Sequence, residues 1–178
     1  MPLRKAGAYT SRYTRPYTRK SAVRSKSYVK TIPAAKVVKF NMGDQQGFNA
    51  GKYKFQLRLK SDVVAQIRDN SLEASRQHVN KQLDEIMPGA YFFELKAHPH
   101  HILRENRVIT GAGADRMQTG MQLSFGSPLG RAALVKKGQD IFFLAVGNEK
   151  NFRLGRRILH SLRSKLPCSL RVGGEIIK

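Results

Sequence analysis

Tryptophan is absent from the 178-residue chain, cysteine occurs once, and only twelve residues are acidic. Without Trp a core must be assembled from Phe, Leu, Ile and Val, and 40% apolar residues is enough for one. A lone Cys168 cannot form an internal disulfide, so the composition points to a reducing compartment. Long apolar runs are missing too: the longest, Ile141 to Val146, has six residues, against about twenty for a membrane-spanning helix. No membrane partner is therefore expected. What remains is basic. Thirty-three Lys and Arg leave a formal charge of +21, which calls for a polyanionic partner. The length suits one domain with an extension.

The charge is unevenly spread. Residues 1–40 contain eleven Lys or Arg and no acid, the first carboxylate being Asp44, whereas residues 41–178 carry the remaining +10. Two basic surfaces follow: an arm over about 1–35 and a body over 36–178. In the arm Tyr9, Tyr13 and Tyr17 alternate with Arg12, Thr14, Arg15, Arg19 and Lys20, and no apolar stripe emerges. Such a segment becomes ordered against phosphates and exposed bases, with cations neutralising and Tyr stacking. A cleaved organelle transit peptide, also Arg-rich and acid-poor, is the alternative.

Periodicity predicts short strands at Lys36–Phe40, Lys52–Lys60, Tyr91–Ala97, Arg131–Lys136, Ile141–Val146 and Ser169–Val172. Asn41 to Asp44 reads as a turn, and Lys137 to Asp140 as a hairpin turn joining the fourth and fifth strands. One helix is expected from Ser61 or Asp62 to Met87, with Val64, Ile67, Ala74, Val79, Leu83 and Ile86 inward. Its solvated face would hold Arg68, Asp69, Glu73, Arg76 and Lys81. A second runs from Asn151 to Leu166, burying Phe152, Leu159, Leu162 and Leu166 and exposing Arg153, Arg156, Arg157, Arg163 and Lys165. Residues 98–128 lack periodicity, and a long loop inside a small domain is more often functional than idle. The expected class is α+β: a two-layer sandwich of two main helices on a mixed, largely antiparallel sheet.

No catalytic constellation stands out. His98, His100 and His101 lie near Glu105, but neighbouring residues of an extended chain face opposite ways and no Cys is close, so a metal is not expected. Imidazoles meeting bases or phosphates suit the basic background better. Gly111-Ala112-Gly113-Ala114-Asp115-Arg116 breaks the dinucleotide fingerprint, with Arg116 where a third Gly belongs. Its glycines permit close backbone approach, and Arg104, Arg107 and Arg116 surround them with charge; plain flexibility is the other reading. Gly126-Ser127-Pro128 has Ser in the wrong slot for a nucleophile elbow. Neither an enzyme nor a cofactor is expected. A general DNA-compacting protein and a His-based metalloenzyme remain competing classes.

The string His98-Pro99-His100-His101-Ile102-Leu103-Arg104-Glu105-Asn106, followed by Gly111 to Arg116, resembles the universal large-subunit ribosomal protein L-sixteen family, in its archaeal and eukaryotic L-ten-e branch. The likeness extends through Pro16-Tyr17-Thr18-Arg19-Lys20, Ile32-Pro33, Lys39 to Gly43, Gln66-Ile67-Arg68, Leu72-Glu73-Ala74 and Gly120-Met121. It continues through Ser124-Phe125-Gly126, Val135 to Gln139 and Lys165-Leu166-Pro167, spanning about residues 15 to 170. Ser21 to Lys26 looks like an insertion, Asp69 stands where the family commonly has His, and Gln122-Leu123 replaces more basic residues.

The resemblance implies a hammerhead-type α/β sandwich seated on large-subunit rRNA near the tRNA-facing side, in one copy among neighbouring ribosomal proteins in the cytoplasm. The implied rRNA-binding residues are Arg4, Lys5, Arg12, Arg15, Tyr17, Arg19, Lys20, Arg24, Lys26, Lys30, Arg68, His98, His100, His101, Lys136 and Lys137. The family's long loop reaches toward the peptidyl-transferase centre and the tRNA acceptor end. Its matching positions are Arg104, Asn106, Arg107, Gly111, Gly113 and Arg116.

Overall fold

A computed structural model describes residues 14–105, 111 and 126–176. Among them eight strands and three α-helices are defined. They run β1 (Asn41–Gly43), α1 (Gln45–Asn49), β2 (Phe55–Ser61), β3 (Ala65–Arg68), α2 (Asp69–Ile86), β4 (Tyr91–Leu95), β5 (His101–Glu105), β6 (Ser127–Val135), β7 (Asp140–Val146), α3 (Glu149–Ser161) and β8 (Leu170–Ile176). The strands form a five-stranded sheet, β1-β4-β7-β2-β8, and a three-stranded one, β3-β6-β5. All their pairings are antiparallel. The α+β sandwich expected from the sequence is present, built on two sheets.

β7 lies between β2 and β4 and is buried along Ile141 to Val146. A strand covered on both faces carries a continuous apolar run, which explains why this stretch does not alternate. Phe142, Leu144 and Val146 join Leu57, Leu59, Phe93, Leu95, Leu72, Val79, Leu83 and Leu159 in the main core, toward α2 and α3. Phe143 and Ala145 turn to the other face and pack with Tyr53, Phe92 and Phe48. α1, which the sequence reading missed, brings Phe48 there, its ring stacked 4.5 Å from that of Phe92. Asp44 caps this helix by accepting from the Gly47 N–H at 2.8 Å.

Four expectations differ. Residues 98–128, expected as one aperiodic loop, contain β5 at His101–Glu105, which pairs with β6 from Ser127 onward. The strand expected at Lys36–Phe40 is displaced to Asn41–Gly43, where a turn was expected. The long helix begins at Asp69, because Ala65–Arg68 before it forms β3 and finds a ladder partner in β6. The expected hairpin does not form: β6 and β7 belong to different sheets. The turn between them docks on the end of β2, with the Gly138 N–H donating to the Ser61 carbonyl at 2.7 Å and the Ser61 N–H to the Gln139 carbonyl at 3.1 Å.

Within α2 the inward face holds Leu72, Ser75, Val79 and Leu83, while Ala74 and Ile86, expected inward, are exposed. Asp69 and Glu73, expected in solvent, are 3% and 8% exposed. The second helix, expected to reach Leu166, ends at Ser161 and a 3-10 turn at Leu162–Ser164 follows, but the burial pattern over 151–166 is close to that expected. Leu159, Leu162 and Leu166 are buried, and Arg153, Arg156, Arg157, Arg163 and Lys165 are exposed.

Candidate nucleic-acid interface

From Thr14 to Phe40 the chain is laid over the body by contacts that the sequence alone does not reveal. The Tyr17 N–H donates to His101 Nδ1 at 3.0 Å, and the Tyr17 carbonyl accepts from the Ile102 N–H at 3.1 Å. Tyr17 thereby occupies the outer edge of β5. Gln66 Nε2 donates to the Thr14 hydroxyl, and Arg131 Nε to the Pro33 carbonyl at 2.6 Å. Farther along, Asp69 Oδ2 accepts from the Lys36 N–H at 3.2 Å and Glu73 Oε2 from the Val38 N–H at 3.3 Å. Buried carboxylates are thus spent on a backbone segment with no strand partner of its own.

The insertion-like stretch Ser21 to Lys26 forms a loop closed where the Val29 N–H meets the Arg19 carbonyl at 3.2 Å, with one 3-10 turn at Arg24–Lys26. Val29 is buried, as is Ser27, whose hydroxyl donates to the Val29 carbonyl at 2.8 Å. The loop leaves Arg24, Lys26 and Lys30 exposed, alongside Arg15, Arg19 and Lys20. Lys30 Nζ bonds back to the Arg24 carbonyl, and the Arg19 guanidinium lies 4.4 Å from the centre of the Tyr28 ring. Among the described residues no ion pair joins these six cations to an acid.

Arg104 belongs to β5 and stacks over Tyr17, 3.7 Å from its ring centre, so one side of the tyrosine is already occupied. The three neighbouring histidines are sorted by pleat. His98 and His100 are exposed and stacked, 5.7 Å between ring centres, and His98 continues onto Phe40 at 4.4 Å. The result is a short column of three rings. His101 departs from the expected nucleic-acid-facing role: it is buried, and its Nδ1 is occupied by the Tyr17 N–H. Burial pushes its pKa down, reinforced by the nearby charge of Arg104, so the ring is held neutral.

Lys136 and Lys137 are exposed at the turn whose Gly138 has φ of +80°. Arg68 is half-buried at the end of β3, and Gly111 is exposed. Arg4, Lys5, Arg12, Asn106, Arg107, Gly113 and Arg116 lie outside the described residues. Sequence reasoning missed Phe40, Asp69, Glu73 and Arg131. Asp69 offered a clue as an acid among many cations, but its partner, the Lys36 N–H, is distant in sequence. Among the described residues no group of three His, Cys, Asp or Glu could hold a metal ion, and no helix is long and apolar enough to cross a membrane. Burial raises the pKa of Cys168, keeping its thiol protonated.

These features define a basic α+β domain whose exposed cations and ring column suit a polyanion with accessible bases. Residues 14–173 match the model of the family described as Ribosomal protein L16p/L10e, and the chain belongs to that family. The large ribosomal subunit protein uL16 of Thermofilum pendens is 41% identical over 173 residues, covering 97% of this chain and 96% of the relative. That of Methanococcus maripaludis is 41% identical over 185 residues, covering 100% and 99%. That of Staphylothermus marinus is 38% identical, covering 97% and 93%.

Proposed function

We propose that this chain is a structural, non-enzymatic component of the large ribosomal subunit in the cytoplasm, one copy per subunit, bound to large-subunit rRNA and neighbouring ribosomal proteins. Residues 1–35 act as the rRNA-threading arm and 36–178 as the body. The segment from about 98 to 128 faces the peptidyl-transferase centre and the tRNA acceptor end, supporting subunit maturation and translation. The observation that carries this reading is the seating of Tyr17 on β5. It joins a ridge of exposed, acid-free cations to the strand that leads into the loop. The ring column of Phe40, His98 and His100 provides a surface for an unpaired base beside those phosphate ligands.

The test is binding of the full chain to deproteinised large-subunit rRNA across a salt series. Replacing Arg15, Lys20 and Lys26 by Gln is expected to flatten the log–log salt slope by about 2.1 to 2.7. Affinity equal to that for duplex DNA would instead support a general nucleic-acid-binding protein. For the loop, subunits carrying Arg107→Ala are expected to assemble but to bind tRNA or form peptide bonds poorly. Arg104→Ala is the less clean probe, since it also uncovers Tyr17.

A further inference from the structure

The outer face of α3 plays no part in the interface built around Tyr17. The arm is seated on the three-stranded sheet, whereas α3 packs on β2, β7 and β8 of the five-stranded one. Its seat is close and rigid. A Cβ at Gly155 would come within 2.8 Å of Leu144 Cδ2, and Phe152 turns inward against Phe55, 5.6 Å between ring centres. Solvent meets the outward side chains of this seated helix and of the turn after it, among them Arg153, Arg156, Arg157, Arg163 and Lys165.

Three properties of that row bear on its partner. Arg153 pairs with Glu149 at 2.6 Å, but among the described residues Arg156, Arg157 and Lys165 have no ion pair. Arginines three and four residues apart on one helix face repel, so this arrangement is unfavourable until an external anion neutralises it. No large apolar side chain of α3 is exposed. Protein interfaces bury a core depleted in charge and rich in aromatic residues, and this face offers none. His160 is the one exposed ring on the helix, so cations outnumber stacking groups along this face. What remains is a rail of guanidinium forks along about 12 Å of helix axis from Arg153 to Ser161, suited to successive phosphate oxygens. Base-paired RNA is recognised largely through such backbone contacts.

We infer that α3 and the 3-10 turn after it form a second RNA seat, in which Arg153, Arg156, Arg157, Arg163 and Lys165 lie along the phosphate backbone of a double-helical rRNA segment. The inference rests on the rRNA-binding reading and adds a contact independent of the arm, the histidine column and the loop. Two separate seats hold the body in a single orientation on the RNA, which one seat alone does not do.

The experiment compares the full wild-type chain with Arg156→Gln/Arg157→Gln and Arg156→Lys/Arg157→Lys, using deproteinised large-subunit rRNA, salt titration and hydroxyl-radical footprinting. Both positions are exposed, and thermal unfolding of each variant verifies the fold. The Gln pair is expected to weaken binding by on the order of tenfold and to flatten the salt slope by about 1.4 to 1.8, while the Lys pair keeps the slope. The Gln pair should also lose protection of one paired RNA segment and keep the protections that depend on Arg15, Lys20 and Lys26. Unchanged slope and footprint in the Gln pair overturn the α3 seat and leave the rRNA reading standing. A wild-type chain with no preferred rRNA site overturns both. A Gln pair that keeps its RNA footprint but loses an acidic ribosomal protein from assembled subunits assigns the face to protein and overturns the inference.

Discussion

Glu73 shows how much one side chain does in a molecule short of acids. It takes the Arg76 guanidinium at 2.5 and 2.9 Å, the Gln77 amide at 2.9 Å and the Val38 N–H. The hydrogen bonds from Arg76 are the main reason its pKa falls from 4.5 to about 2, against the opposing effect of burial. A carboxylate depressed on folding contributes stability that is complete above its unfolded pKa and is lost as pH falls from about 4.5 toward 2. Urea unfolding is expected to show Glu73→Gln less stable than wild type at pH 7, with the gap closing below pH about 4.5. A constant gap would refute the linkage. Gly43 is equally specific: φ is +83°, and a Cβ would lie 2.2 Å from the Tyr91 carbonyl oxygen. Gly43→Ala is expected to cost about 2 kcal/mol, since the Cβ would meet a backbone carbonyl held in the sheet and the residue would keep a left-handed φ. A urea midpoint equal to that of wild type would contradict this.

β5 joins the arm to the loop, because it carries Tyr17 on its edge and runs toward residue 106. His101 must be neutral for Nδ1 to accept from Tyr17. Its pKa is lowered in the fold, so its contribution is present above the ordinary value of 6.5 and is lost as pH falls below it. Acidification is therefore expected to loosen the arm first. Amide exchange at Tyr17 and Ile102, corrected for intrinsic rates, should speed up at pH 5.5 relative to 7.5. His101→Asn, which keeps an acceptor without titrating, should abolish the difference. Equal pH dependence in both proteins would exclude the imidazole as the cause. α2 carries the converse lesson. Its helical period was visible, but its first expected turns include β3, because Ala65–Arg68 finds a ladder partner in β6 that satisfies its backbone groups.

For the whole molecule the decisive quantity is where opposite charges meet. Body acids are engaged with body cations: Arg58 with Glu175 at 3.3 Å and Asp140 at 3.8 Å, Lys96 with Glu94 at 2.7 Å, and Arg171 with Asp62 at 3.3 Å. These pairs are mostly solvated and add little stability. Their consequence is electrostatic, since they leave the arm's exposed cations without acidic partners among the described residues. Removal of residues 1–30 is accordingly expected to weaken assembly into the large subunit, read by sedimentation at moderate and high salt. Normal incorporation of the truncated chain would count against an anchoring arm. The same deletion uncovers the edge of β5, so the variant at Arg15, Lys20 and Lys26 is the sharper measure of charge alone.

Composition and local pattern determined the α+β class, the outward cations of α3, the apolar strand at the centre of the larger sheet and the excess of positive charge. These depend on neighbours a few residues apart or on simple totals, and a linear string contains both. Tertiary structure decided the division into two sheets, the separation of β6 from β7, the burial of Asp69 and Glu73, and the sorting of His101 inward from His98 and His100. Each of these depends on a partner distant in the chain: β3 for β6, the Lys36 and Val38 amides for the acids, and Tyr17 for the histidine. A polar side chain goes inside only where such a partner waits, and the cost of leaving it unpaired makes that choice depend on the assembled fold.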